Sequence, residues 1–264
     1  MTAKEILSRY YEAYDEDGRL SVSRRGQLEY ATTMRYIRKY LLPGDKVLEL
    51  GAGTGRYSLA LAGEGFDVTA VELIEHNLEV LKAGIRETMN IQALQGDALE
   101  LTMFDDAAFD MTLVLGPMYH LFTESDKLRA LSEAVRVTKP GGILMVAYCV
   151  SDASIIEYGF RGGHIRELIA EGLLDAETFT ARSSPKELFE LVRKPDIDRL
   201  NAAFPLKRLH YVSTDGIAYF MRRDLEEMEP DIFELFMKYH LTICENPELT
   251  GATAHSLDIL RKEG

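Results

Sequence analysis

The chain has 264 residues, 46% of them hydrophobic, and a formal net charge of −13. That length suits one core domain with additions, and that apolar content excludes a disordered chain. The acidic balance argues against a nucleic-acid partner, because the basic stretches Arg24-Arg25, Arg35 to Lys39 and Arg222-Arg223 all sit among acidic or apolar neighbours. The two cysteines, Cys149 and Cys244, stand in unrelated contexts, which fits a reducing compartment and offers no zinc spacing. The segment Met1 to Glu5 lacks an apolar signal core, and no run approaches the roughly 20 apolar residues of a membrane span. A cytoplasmic protein with no membrane partner is the expectation.

In chain order, Ile6, Leu7, Tyr10, Tyr11 and Tyr14 repeat at helical spacing over residues 3–15, and the acidic stretch from Asp15 to Gly18 ends that helix. A second helix is expected from Gln27 to Leu42, stopped by Pro43-Gly44. Lys46 to Leu50 reads as a buried strand that runs into glycines 51, 53 and 55. A helix over Arg56 to Ala62, a strand over Phe66 to Val71, a helix over Glu75 to Thr88 and strands over Ile91 to Leu94 and Phe109 to Leu115 follow. Thr123 and Asp126 have capping-box spacing and open a helix to Val137. Lys139-Pro-Gly-Gly142 breaks it, and Ile143 to Val150 is an apolar strand of the kind buried on both faces. Five alternations of strand and helix between residues 46 and 150 mean a parallel sheet with helices on both sides. Beyond 150 the chain predicts short helical pieces to 183, a helix start at Ser184-Pro185, a strand from Leu206 to Ser213, helix over Leu225 to Cys244 interrupted at Pro230, and a last strand from Ala254 to Arg261.

The segment Val47 to Gly55 carries the chemistry. A strand that ends on glycines and passes directly into a helix lets bare backbone approach a ligand at the carboxyl edge of the sheet. Glu72, at the end of the second strand, can accept from both hydroxyls of a ribose. A dinucleotide fingerprint requires a third glycine at 56 or 58, and those positions hold Arg56 and Ser58. Glu49 adds a carboxylate that would repel a pyrophosphate and attract an ammonium or sulfonium.

On these residues the chain resembles the class I S-adenosylmethionine (SAM)-dependent methyltransferases. Glu49 to Gly55 matches the family's acid-x-Gly-x-Gly-x-Gly loop, Glu72 the ribose-binding acid, and Gly96-Asp97-Ala98 the adenine-contacting segment. Phe109-Asp110 and Lys139 to Gly142 are further family features. The resemblance is dense over residues 40–150 and loose beyond. It implies an α/β, doubly wound, mostly parallel seven-stranded sheet with helices on both faces, N-terminal helices and a helical cap. It implies a division into an N-terminal cap (1–42), a SAM-binding core (43–150), a cap insertion (151–183), and the rest of the core (184–264) with a helical insertion at about 215–250. By the same resemblance Gly51, Gly53 and Gly55 cradle the methionine part of SAM, Glu72 holds the ribose, Asp97 and Ala98 the adenine, and Leu115 lies beside the sulfonium.

The stretch Leu115 to Leu121 follows the fourth strand, where the fold faces the methyl donor. It lacks the Asn/Asp-Pro-Pro signature of adenine- and glutamine-directed members and resembles bacterial enzymes acting on small molecules. Tyr119 and His120 are the candidates for acceptor contact or proton removal, histidine being suited to such work near neutral pH. Tyr10, Tyr14 and Glu29 are candidates from the N-terminal helices, with Tyr14 and Glu29 taken as substrate-binding. His255 reads as structural, and the histidines show no metal spacing. The expected activity is methyl transfer from SAM to an unidentified small molecule. A SAM-binding sensor or assembly subunit without catalysis, and less favourably a nicotinamide-dependent oxidoreductase, are the competing readings. The sequence leaves a homodimer open.

Overall fold

The computed structural model describes residues 2–14 and 16–264. Met1 and Asp15, the latter part of the expected acidic turn, lie outside the described residues. Helix α1 spans Ala3–Ala13 and opens on a capping box between Thr2 and Glu5. Helix α2 spans Arg24–Tyr40 rather than Gln27 to Leu42. Its start moves upstream because the Ser23 hydroxyl accepts from Gly26 N, and it ends where Leu41 turns extended.

The sheet begins with β1 (Lys46–Leu50), followed by α3 (Arg56–Gly63), β2 (Asp67–Glu72), α4 (Glu75–Gly84) and β3 (Ile91–Gln95). Helix α4 stops four residues short of the expected Thr88 because Ile85 adopts extended backbone. Loop, not helix, joins β3 to β4 (Phe109–Val114), so the alternation is incomplete there. Helix α5 (Glu124–Val137) is capped by the Thr123 hydroxyl, as expected. Strand β5 runs from Thr138 to Val150, five residues longer than the expected Ile143 start. Thr138 already pairs with Phe109, and the Pro-Gly-Gly segment is absorbed as a register shift between Phe109 and Met111.

The chain then forms α6 (Ser151–Ser154), a π-helical stretch at Ile155–Arg161, α7 (Ile165–Ala170), the two-residue strand β6 (Leu191–Val192), α8 (Lys194–Asn201) and β7 (Leu206–Ser213). The helix expected at Ser184-Pro185 is a single capped turn, Pro185–Glu187. Helices α9 (Arg222–Glu227) and α10 (Pro230–Ile243) are separated where Pro230 opens the second, and β8 (His255–Lys262) closes the fold.

The strand order is β3-β2-β1-β4-β5-β8-β7, with β6 paired on β5. β8 runs antiparallel to both its neighbours, and the other pairs among these strands are parallel. Alternation along β1 sends Val47 to the face covered by α2 and α3, and Leu48 and Leu50 to the face covered by α5 and α8. Helix α2 also holds α9 and α10, because its Leu28 packs with Ala218, Leu225 and Phe233. The carboxyl ends of β1, β2, β4 and β5 therefore open into a space roofed by α1 and walled by Tyr219, Arg222 and the start of β8.

Candidate active site

A cavity of about 710 Å³ lies along that edge and touches the glycine loop, Glu72, residues 96–99, residues 115–123, α1 and His255. It is within the size range of small-molecule sites. The loop following β1 is held on the sheet by Gly51 N and Ala52 N, which both donate to the Val71 carbonyl. The three glycines serve different neighbours. A side chain at Gly51 would strike Pro117, which seals the loop against the segment after β4. Gly55 has φ +88° and a Cβ there would lie 2.6 Å from Leu81 Cγ, so this glycine lets α4 pack and does not line the cavity. Gly51 and Gly53 both line the cavity, and Gly53 has room there, with the Glu16 side chain 3.6 Å from its would-be Cβ.

Glu72 reaches back over the loop. One carboxylate oxygen accepts from Gly53 N at 2.7 Å and the other from Ile74 N at 2.8 Å. Burial pushes its carboxyl up, and those backbone donors oppose the shift. Glu49 is 1% exposed and accepts from the Ser58 hydroxyl. Burial pushes it up to about 8, and among the described residues no cationic side chain pairs with it. A buried acid at a ligand loop with no countercharge fits a ligand that brings its own positive charge. Asp97 caps its own turn by accepting from Leu99 N, and with Gly96, Ala98 and Leu115 it lines the cavity.

Tyr119 and His120 follow in a short 3-10 turn, Pro117–Tyr119, and both face the cavity. His120 Nδ1 lies 2.8 Å from the Leu188 carbonyl, which can only accept, so this nitrogen carries the proton. Nε2 is then the acceptor for the Tyr11 hydroxyl at 3.0 Å. Burial pulls the His120 pKa down against the Leu188 bond, so the ring is neutral near pH 7. Tyr10 stacks on Tyr14 with centroids 5.1 Å apart and meets Phe189 edge-on, building an aromatic roof.

Glu29 stands behind this wall. It is 4% exposed, accepts from Arg19 Nη1 at 2.9 Å and lies 3.6 Å from His255 Nδ1. Arg19 also holds Glu16. His255 Nδ1 donates to Asp215 Oδ2 at 3.0 Å, and Arg25 binds the same oxygen at 3.1 Å. Asp215 Oδ1 takes Thr253 Oγ1 and the backbone N–H groups of Ala254 and His255. Burial resists charge on His255, yet Glu29 and Asp215 outweigh it and hold the ring's pKa well above its ordinary value. Burial likewise opposes ionisation of Asp215, and His255 and Arg25 reverse that. Glu29, Asp215 and His255 have ligand-capable atoms within 4.8 Å of one another, but Arg19 and Arg25 already occupy the two carboxylates.

Sequence reasoning placed Glu49, Gly51, Gly53, Glu72, Asp97, Ala98, Leu115, Tyr14, Tyr119 and His120 around one space, and the fold brings them there. It passed over Tyr11, Arg19 and Arg25, and read His255 as structural. Tyr11 was visible only as one of a helical stripe of tyrosines. The Asp215–His255 pair spans forty residues and had no local signal.

A family model described as a methyltransferase domain matches residues 47–142. An uncharacterized methyltransferase of Mycobacterium tuberculosis is 32% identical over 177 residues, 66% of this chain and 67% of that protein. A demethylmenaquinone methyltransferase of Renibacterium salmoninarum is 39% identical over 106 residues, 40% of this chain and 42% of that one. Among solved structures, a SAM-dependent methyltransferase of Thermotoga maritima, described as a possible histamine N-methyltransferase, superposes with TM-score 0.59 at 17% identity, covering 99% of this chain and all of that one. One from Methanosarcina mazei gives 0.59 at 16% identity over 86% of this chain and 97% of its own.

Proposed function

Because the chain belongs to the class I SAM-dependent methyltransferases, we propose that it methylates a small molecule bound under α1, with Tyr11 and His120 handling the acceptor's proton. The chain is an enzyme of that family and SAM is its methyl donor. The observation that carries the acceptor reading is the continuous cavity of about 710 Å³ that runs from Glu49 to His120 beneath an aromatic roof. Such a space accommodates a nucleoside-sized donor and a modest acceptor.

In this reading Gly53, Glu49, Glu72, Asp97, Ala98 and Leu115 hold the donor. Glu49 neutralises positive charge and Glu72 accepts from the ribose hydroxyls while keeping the Gly53 N–H. Gly51 and Gly55 shape the loop through Pro117 and Leu81. When bound, SAM supplies a methyl group on a cationic sulfur. Alignment and exclusion of water provide most of the acceleration for such a displacement. Tyr119 and Tyr14 line the acceptor space. An acceptor proton passes to the Tyr11 oxygen as the Tyr11 proton passes to His120 Nε2, which the neutral ring is free to take. Residues 1–42 and 151–183 serve as caps around a core of 43–150 and 184–264.

Acceptor screening by formation of S-adenosylhomocysteine tests the assignment. With any acceptor found, Tyr11→Phe and His120→Ala should lose about 100-fold in turnover while S-adenosylhomocysteine affinity stays within about twofold. Full turnover in both variants would reduce the pair to packing.

A further inference from the structure

The wall of the cavity away from the glycine loop has a consistent electrostatic order. It is built by Arg25, Cys149, Ser154, Tyr219, Arg222 and His255. Arg25, Arg222 and His255 line the space, whereas Asp215, Glu29 and Glu157, the carboxylates they are bonded to or face, do not line it. Positive groups stand forward and their countercharges stand behind. The Tyr219 ring lies between the two guanidiniums, 5.4 Å from Arg25 and 4.7 Å from Arg222, and spaces them. The carboxylates that do line the cavity belong to the loop side (Glu16, Glu49, Glu72, Asp97) and to α5 (Asp126). Arg19, paired with Glu16 and Glu29, and Arg56 beside the glycine loop also line the cavity, so the loop side is mixed in sign, whereas the charged groups of this wall are all positive.

The groups behind the wall fix those in front. Arg25 spends one nitrogen on Asp215 and keeps donors for a ligand. His255 is locked by Asp215 on Nδ1, and the ring donates a further hydrogen bond to Cys149. Asp215, with no exposed surface, takes five donors and cannot swing out to quench the wall.

Resting on the methyltransferase reading above, we propose that the acceptor carries an anionic oxygen group, a carboxylate in the simplest case, which docks on Arg25 beside the positive charge of His255. A planar carboxylate matches a guanidinium fork, and the positive charge of His255 beside it, whose ring nitrogens are already engaged by Asp215 and Cys149, adds to the attraction. A cationic amine acceptor would meet like charge on this wall.

The test titrates acetate, benzoate and 2-naphthoate, their neutral amides, and benzylamine into the full-length protein by calorimetry, with and without saturating S-adenosylhomocysteine. Carboxylates should bind at least tenfold more tightly than the matching amides, and Arg25→Gln should remove that preference. In wild-type protein the His255 ring carbon-bound proton resonance should shift on adding benzoate, a readout that requires no variant to fold. Binding of benzylamine in preference to benzoate, silence from all three carboxylates, or an unmoved His255 resonance would overturn the proposal. S-adenosylhomocysteine is titrated alone as well. Its failure to bind would count against the donor assignment, while the carboxylate titrations of the free protein would still decide the wall.

Discussion

Donor binding should release a proton from Glu49. Its carboxyl is buried against Ser58 and pushed up to about 8, so at pH 7 about nine-tenths of it is protonated. An ammonium or sulfonium brought beside it favours the ionised form. Ionising the acid at pH 7 then costs about 1.4 kcal/mol, one pH unit's worth, which is drawn from the binding energy. The affinity for S-adenosylhomocysteine should accordingly rise about tenfold per pH unit between roughly pH 6 and 8 and level off above. Calorimetry in two buffers of different ionisation enthalpy should count close to one proton released per ligand at pH 7. Glu49→Gln keeps an acceptor for the Ser58 hydroxyl and has no proton to lose, so its pH slope should vanish. A wild-type affinity flat from pH 6 to 8, or a slope that survives in Glu49→Gln, would refute the reasoning and move the proton to another group such as Glu72.

Glu72→Ala should weaken S-adenosylhomocysteine binding by about 1–3 kcal/mol, read by calorimetry, because the ribose loses a charged acceptor; unchanged affinity would detach Glu72 from the sugar. Gly55→Ala should lower Tm by roughly 5–15 °C in a thermal melt, since a Cβ at φ +88° also overlaps Leu81. Asp215→Asn should cost about 3–5 kcal/mol in urea unfolding, because Arg25 and His255 lose a buried countercharge. For His255 the folded pKa is raised, so its stabilisation is complete below its unfolded value and fades as pH rises through the folded one. Wild-type stability should therefore fall more steeply above neutral pH than that of His255→Gln, and parallel profiles would contradict the charged assignment.

The core was legible because its signals are local. Lys46–Leu50 and Leu206–Ser213 were read to the residue, since each is a short run bounded by turn chemistry. The glycine loop and Glu72 were readable because fold and ligand impose their spacing along one stretch of chain. The Pro-Gly-Gly segment misled, because pairing between Thr138 and Phe109 overrides the local preference for a break. Gly55 was assigned to the ligand although its neighbour is Leu81, a contact between two helices that no pattern along one helix reveals. The cationic wall was invisible for the same reason: Arg25, Asp215, Arg222 and His255 come from separate stretches of the chain, α2, the loop after β7, α9 and β8. Their relation exists only after β8 inserts between β5 and β7.

None of the residues of α1 is buried, although this helix closes the chamber over the donor loop. An element that adds so little to the core can swing away at small cost while the sheet stays intact. Amide exchange in α1 is therefore expected to be faster than in β1 and β4, so that the chamber opens to solvent on that side before the sheet does.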